Sequence, residues 1–159
     1  MVIGNGSNLL VSDKGYDGTV ISIGKNMSDT KVCRNVIKAS AGTLLSRIAS
    51  VAQKNSLAGF EFASGIPGTL GGAVVMNAGA YGGEICQVCK SVDVMDFDGN
   101  IRTFSNAEME FSYRHSVLEE QGGIVVSAEF MLCEKPVEQI REKMKELMSK
   151  RSASQPLDK

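Results

Sequence analysis

Glycine is crowded into one stretch of this chain. Between Ser64 and Gly83 the sequence sets Gly65, Gly68, Gly71, Gly72, Gly79, Gly82 and Gly83 around a single Pro67. Glycine admits left-handed backbone and lets a ligand approach the main chain without meeting a Cβ. Successive bare N–H groups in such a loop, or at the start of a following helix, can converge on phosphate oxygens. A second loop, Gly4-Asn5-Gly6-Ser7-Asn8, lies near the amino end, ahead of Leu9-Leu10-Val11. Two separate loops of this kind can hold one diphosphate between them. Gly4-x-Gly6 lacks the third glycine of a dinucleotide fingerprint, and no loop ends in Gly-Lys-Ser/Thr, which disfavours an ordinary Rossmann or P-loop domain. The competing reading is that both segments are tight connections.

Other reactive side chains are few. Arg114, in Phe111-Ser112-Tyr113-Arg114-His115-Ser116, offers a planar, permanently charged fork suited to a carboxylate, although an arginine on its own is ordinarily a surface residue. The single histidine, His115, is an obvious general-acid candidate, and a structural or surface role competes with that. Cys86-Gln87-Val88-Cys89 has redox or half-zinc-site spacing, but no second such pair occurs, and small apolar residues entering a strand read the same way. No metal site is expected.

The elements that must position these groups can be read from periodicity. Val2-Ile3 reads as a strand, as do Asn8 to Val11 and Thr19 to Ile23, joined through Asp13 to Gly18. Lys31 to Arg34 and Val36 to Ala39 form extended segments around Asn35. Thr43 offers an N-cap to a helix ending near Asn55, with Leu44, Leu45, Ile48, Val51 and Ala52 on its core face. A second helix is expected from about Gly68 to Asn77. Val88 to Phe97 and Ile101 to Phe104 make a hairpin through Asp98-Gly99. Ser105 caps a short turn through Met109, Gly123 to Leu132 is a strand, and Val137 to about Lys150 is an amphipathic helix with a Glu146–Lys150 surface pair. Hairpins and scattered helices without regular alternation argue for an α+β fold.

Bulk properties narrow the partners. A chain of 159 residues buries one sizeable core, so one domain is the default. A net charge of −1 with interspersed signs gives no footprint for nucleic acid or an anionic membrane. No apolar run approaches a spanning length and no signal pattern opens the chain, which makes cytoplasm the expected compartment.

Several motifs, in order, carry a resemblance: Gly4 to Val11, Ser64 to Ala73, Met76-Asn77-Ala78-Gly79-Ala80-Tyr81-Gly82, Tyr113-Arg114-His115-Ser116 and Gln155-Pro156-Leu157. Together they resemble the UDP-N-acetylenolpyruvoylglucosamine reductase family, flavoproteins of peptidoglycan precursor synthesis. The resemblance implies the two-subdomain FAD-binding fold of the vanillyl-alcohol-oxidase type, mostly its second subdomain. It implies that residues 1–159 are a partial FAD-binding domain, lacking an N-terminal strand-helix-strand unit and a C-terminal substrate domain that holds a serine proton donor and a glutamate.

The same resemblance implies cofactor contacts by Gly4, Asn5, Gly6, Ser7, Asn8 and Leu9, by Ser64, Gly65, Ile66, Pro67, Gly68, Thr69, Gly71 and Gly72 around the diphosphate and ribityl chain, and by Asn77, Ala78 and Gly79 beside the flavin. For Ser7 and Ser64 a plain turn or capping role competes with a ligand contact. Arg114 would grip the substrate carboxylate and favour the charged intermediate. Tyr81 is either a substrate contact or a packed aromatic with its hydroxyl at the rim. The partners implied are FAD, NADPH and a UDP-sugar enolpyruvyl ether that becomes UDP-N-acetylmuramate. The alternatives are a non-catalytic FAD-binding fragment and a related flavoprotein oxidase for which His115 is the candidate flavin link. Self-association through uncovered apolar surface is a further expectation.

Overall fold

A computed structural model describes residues 1–155; Pro156 and Leu157 of the Gln-Pro-Leu motif lie outside the described residues. In chain order the strands and helices are β1 (Val2–Ile3), β2 (Ile21–Ser22), β3 (Thr30–Cys33), β4 (Val36–Ser40), α1 (Leu45–Lys54), β5 (Leu57–Ala58), α2 (Leu70–Val75), β6 (Gly79–Ala80) and β7 (Gly83–Glu84). There follow β8 (Cys89–Met95), β9 (Ile101–Ser105), α3 (Leu118–Gln121), β10 (Ile124–Met131), β11 (Cys133–Glu134) and α4 (Val137–Ser154).

The centre is a five-stranded antiparallel sheet in the order β3-β4-β10-β8-β9. Antiparallel strands alternate sides, and this sheet uses the alternation to separate core from solvent. Ile37, Ala39, Val92, Val94, Ala128 and Phe130 are buried together with Leu45, Ile48, Leu70 and Val74 of α1 and α2. On the opposite face Lys38 pairs with Asp93 at 2.8 Å and Lys90 with Glu129 at 2.9 Å. The expected hairpin of β8 and β9 forms, with Gly99 at φ +90° in its turn. Among the described residues no helix is long and apolar enough to cross a membrane.

Four expectations need correction. Asn8 to Val11 is not a strand: Leu9 donates to Gly6 O in a turn, and Leu9, Leu10 and Val11 are exposed. A strand needs a ladder partner for its backbone groups, and β1 pairs instead with β2, in parallel. Thr19 to Ile23 contracts to Ile21–Ser22 for the same reason. Thr43 does not cap α1: its buried hydroxyl donates to Asp29 O, and the helix begins after Leu44, which is extended and exposed rather than part of the core stripe. The Gly68 to Asn77 helix shortens to Leu70–Val75.

The last two corrections have one cause. Leu44 and Thr69 form an isolated antiparallel bridge, in which Leu45 N–H donates to Gly68 O at 3.0 Å and Leu70 N–H donates to Thr43 O at 2.9 Å. Each helix start thereby satisfies an otherwise orphaned donor of the other. The bridge requires extended backbone at Leu44 and Thr69, so neither residue can be helical. At its other end α2 stops at Val75, and Asn77, with φ of +40°, makes the left-handed cap beyond it; Asn77 N–H bonds to Val74 O and Ala78 N–H to Ala73 O.

Candidate functional site

The two glycine loops meet. Asn5 Nδ2 donates to Pro67 O at 3.0 Å across 62 residues of sequence. A Cβ at Gly4 would run into the Thr69 hydroxyl, and a Cβ at Gly68 would lie 3.8 Å from Ser7 Oγ. The bridge from Leu44 to Thr69 ties the second loop to the core, and the Asn5 amide ties the first loop to the second. The result is a face built mostly of main chain.

That face retains unused donors. Among the described residues, the N–H groups of Asn5, Gly6, Ser7, Asn8, Gly65, Gly68, Thr69 and Gly72 donate to no protein acceptor. Gly72 is exposed, with nothing within 4 Å of a Cβ built on it. Pro67, exposed at the turn, has no N–H and fixes φ. Gly71 differs, because its N–H donates to Ala41 O at 2.8 Å and its Cβ position abuts Ala41. Ile66 N–H and Ser64 N–H likewise stay within the chain, on Ala63 O and Glu61 O. Side-chain hydroxyls of Ser7 and Ser64 and the bare amides around them suit an anionic diphosphate.

Asn77, Ala78, Gly79 and Tyr81 lie in and after the cap of α2. Asn77 is buried, and its amide serves protein groups alone: Nδ2 donates to Glu84 Oε2 at 3.0 Å and to Ser112 O at 2.9 Å, and Oδ1 accepts from Cys86 N–H at 2.9 Å. Ala78 O accepts from Ile85 N–H. Gly79 pairs with Glu84 in the short β6–β7 hairpin, whose turn holds Tyr81 at φ +54° with its side chain 45% exposed.

Arg114 projects from a tight turn closed by reciprocal hydrogen bonds between Ser112 and His115. Its Nη2 donates to Gly79 O at 3.0 Å, and its guanidinium stands 5.7 Å from the Tyr113 ring centre. Arg114 and residues 79–84 line an open cavity of about 190 Å³ that includes the Glu84 side chain. Among the described residues six non-glycine positions have positive φ; Tyr81 and Arg114, which line this cavity, and Asn77, which bonds Glu84 beside it, are three of them. The sequence reading missed Glu84 and Ser112; an acidic residue five positions after Gly79, facing a glycine-rich hairpin, was the available signal.

His115 points elsewhere, with Nδ1 3.3 Å from Glu119 and Nε2 3.5 Å from Glu120. Cys89 faces the core, where burial pushes its thiol up to about 12, and burial also raises Cys86. Among the described residues no three His, Cys, Asp or Glu side chains gather as a metal site. A larger open groove of about 330 Å³ between α1 and α4 shares only Ser64 with the glycine loops.

An antiparallel sheet backed by helices, with two glycine loops bonded to each other, defines an α+β domain that presents a main-chain face of the kind suited to an anionic cofactor. The chain belongs to the FAD-binding domain family, whose model matches residues 1–105. It is 50% identical to UDP-N-acetylenolpyruvoylglucosamine reductase of Agathobacter rectalis, over 99% of this chain and 54% of that protein. It is 48% identical to the reductase of the same name from Clostridioides difficile, over 99% of this chain and 52% of that protein. The crystal structure of UDP-N-acetylenolpyruvylglucosamine reductase from Thermus caldophilus matches with a TM-score of 0.88 at 38% identity, over 98% of this chain and 56% of that one. An alkyldihydroxyacetonephosphate synthase shares the fold at a TM-score of 0.59 and 19% identity, over 86% of this chain and 27% of its own. The chain spans about half the length of the curated relatives it matches. The expected α+β FAD-binding fold is therefore the fold observed, and FAD is the cofactor of its family.

Proposed function

We propose that this chain is the FAD-holding part of a UDP-N-acetylenolpyruvoylglucosamine reductase, which reduces the enolpyruvyl ether of UDP-N-acetylglucosamine to UDP-N-acetylmuramate with NADPH as hydride donor. The observation that carries the reading is the Asn5–Pro67 hydrogen bond, because it brings two glycine loops into one surface. Gly4 to Leu9 and Ser64 to Thr69, with Gly72, would lie along the diphosphate and ribityl chain, Gly71 supporting them through its packing on Ala41. Asn77, Ala78 and Gly79 would lie beside the flavin. Bound FAD supplies the hydride chemistry; what the protein adds is position and charge.

Arg114 would meet the substrate carboxylate. One guanidinium nitrogen is already held by Gly79 O, which fixes the fork and leaves its remaining N–H groups for a bidentate acid partner. A fixed cation favours charge that builds toward that carboxylate during reduction. Tyr81, exposed on the same cavity, would close over the substrate.

In the natural full-length protein, Arg114→Lys should slow substrate reduction by about 10²-fold while leaving flavin reduction by NADPH nearly unchanged. Rapid-mixing measurement of the two half-reactions decides this, and equal loss in both would remove Arg114 from its role. Gly4→Val should weaken FAD at least tenfold in a flavin-fluorescence titration, because the added methyls meet Thr69. Undiminished affinity would mean that the joined loops do not hold the cofactor. The 159 residues alone span about half of each relative, and the accompanying reading is that they bind FAD without substrate-dependent turnover. NADPH oxidation stimulated by the enolpyruvyl nucleotide in this isolated chain would overturn that reading.

A further inference from the structure

A circuit of hydrogen bonds, closed by one strand pairing, runs around Arg114. Gly79 O accepts from the guanidinium, and Gly79 pairs with Glu84 across the β6–β7 hairpin. Glu84 Oε2 accepts from Asn77 Nδ2, the same nitrogen donates to Ser112 O, and Ser112 closes the turn that presents Arg114. Asn77 is the one buried side chain in this circuit, at 2% exposure. Its orientation is dictated by its neighbours, since Cys86 N–H can only donate and Ser112 O can only accept. Both amide hydrogens and the amide oxygen have protein partners, so this side chain has no donor left for a ligand.

We propose that Asn77 is a positioning residue: its amide locks the Ser112–His115 turn onto the Gly79–Glu84 hairpin and so sets where the Arg114 guanidinium stands. The turn needs such a lock. Tyr113 is 83% exposed and Arg114 adopts φ +55°, so little packing holds the tip. Ser112 O also accepts from His115 N–H at 3.3 Å, a long bond that closes the turn upon itself without fixing it to the body. His115 and Ser116 hold the trailing end of the turn, through Glu119 and Val75 O, whereas its leading end and tip are tied to the hairpin side by Asn77, through Ser112 O, and by Arg114, through Gly79 O. The consequence for substrate reduction rests on the reading of Arg114 given above; the lock itself does not.

The Asn77–Glu84 pair provides a test that separates positioning from plain stability. Asn77→Asp removes the donor to Ser112 O and sets two carboxylates against each other. Adding Glu84→Gln gives residue 84 a donor for Asp at 77, restoring that bond while Ser112 O still lacks its donor from residue 77. The measurement is trypsin cleavage of the Arg114–His115 bond, followed by mass spectrometry in the natural full-length, FAD-loaded protein, beside its melting temperature and half-reaction rates. The expected result is that Asn77→Asp speeds this cleavage at least tenfold. The double variant should regain thermal stability and FAD while keeping the fast cleavage and a raised KM for the enolpyruvyl nucleotide. Wild-type cleavage in Asn77→Asp would overturn the proposal, as would a double variant in which protection returns together with stability. Fast cleavage with unchanged substrate kinetics would uphold the lock and refute the assigned role of Arg114.

Discussion

Asp93 stands on the solvent side of β8, where Lys38 Nζ at 2.8 Å, Ser127 Oγ at 2.6 Å and Thr103 Oγ1 at 2.7 Å all donate to its carboxylate. Partial burial pushes this carboxyl up, but the donors outweigh it and hold it near 2, against an ordinary value of 3.8. The stabilisation is present above pH 3.8 and is lost as pH falls toward about 2. Lys38 is raised by the same hydrogen bond, so its share is complete below 10.5 and is lost as pH rises through its shifted value. Asp93→Asn should cost on the order of 1 kcal/mol at neutral pH, allowing for solvent screening. Urea midpoints at pH 7 and pH 3 check this: the gap between variant and wild type should narrow in acid, and a constant gap would show that the charge is not what the sheet uses. At this scale the Tyr-Arg-x-Ser motif singled out Arg114, and the fold sets that side chain against Gly79 O. The part played by Asn77 was not, because a buried amide looks the same in sequence whether its partners are a ligand or three protein groups.

The β6–β7 hairpin shows how an element is shaped by what it must touch. Gly83 lies against Phe62, whose Cβ and Cγ would be 2.6 Å from a Cβ at this position. Phe62 is itself buried and packs near Phe60, with ring centres 5.7 Å apart. Gly83→Ala must therefore push the hairpin off the ring or the ring into the core, at a cost of about 1–3 kcal/mol. Denaturant melts should show that loss, together with weaker retention of Arg114 near Gly79 seen as faster trypsin cleavage after Arg114. Stability equal to wild type would show that the hairpin is not seated on Phe62. Elements with local signals were readable in the sequence: the Asp98-Gly99 turn of β8–β9, the Ser105–Glu108 cap before Met109, and the apolar stripe of α1. Asn8 to Val11 and the first turn of the second helix were misread because long-range pairing decided them. Their outcome depends on β2 and on Leu44, which no window around those residues contains.

Across the whole molecule, stability is distributed unevenly. The five-stranded sheet and its helices bury a continuous core, whereas residues 1–23 contribute the two-residue β1–β2 pairing and a half-buried Ile23 and leave Leu10, Val11, Tyr16 and Ile21 exposed. So small a parallel pair provides little protection by itself. The amino-terminal glycine loop is held to the rest by the Asn5–Pro67 bond and by contact of Gly4 with Thr69. A cofactor that engages both loops would add bonds to the donors that have no protein acceptor, and binding to the folded state alone suppresses local opening. Hydrogen exchange should thus be fast at Asn5 to Asn8 and at Gly65, Gly68, Thr69 and Gly72 in the free protein, and at least tenfold slower there with FAD. Strands β8 and β10, already paired on both sides, should change little. Slowing in both loops at the same FAD concentration is the expected signature of a single ligand spanning them. Protection of one loop without the other would break the link between their contact in the fold and a shared cofactor.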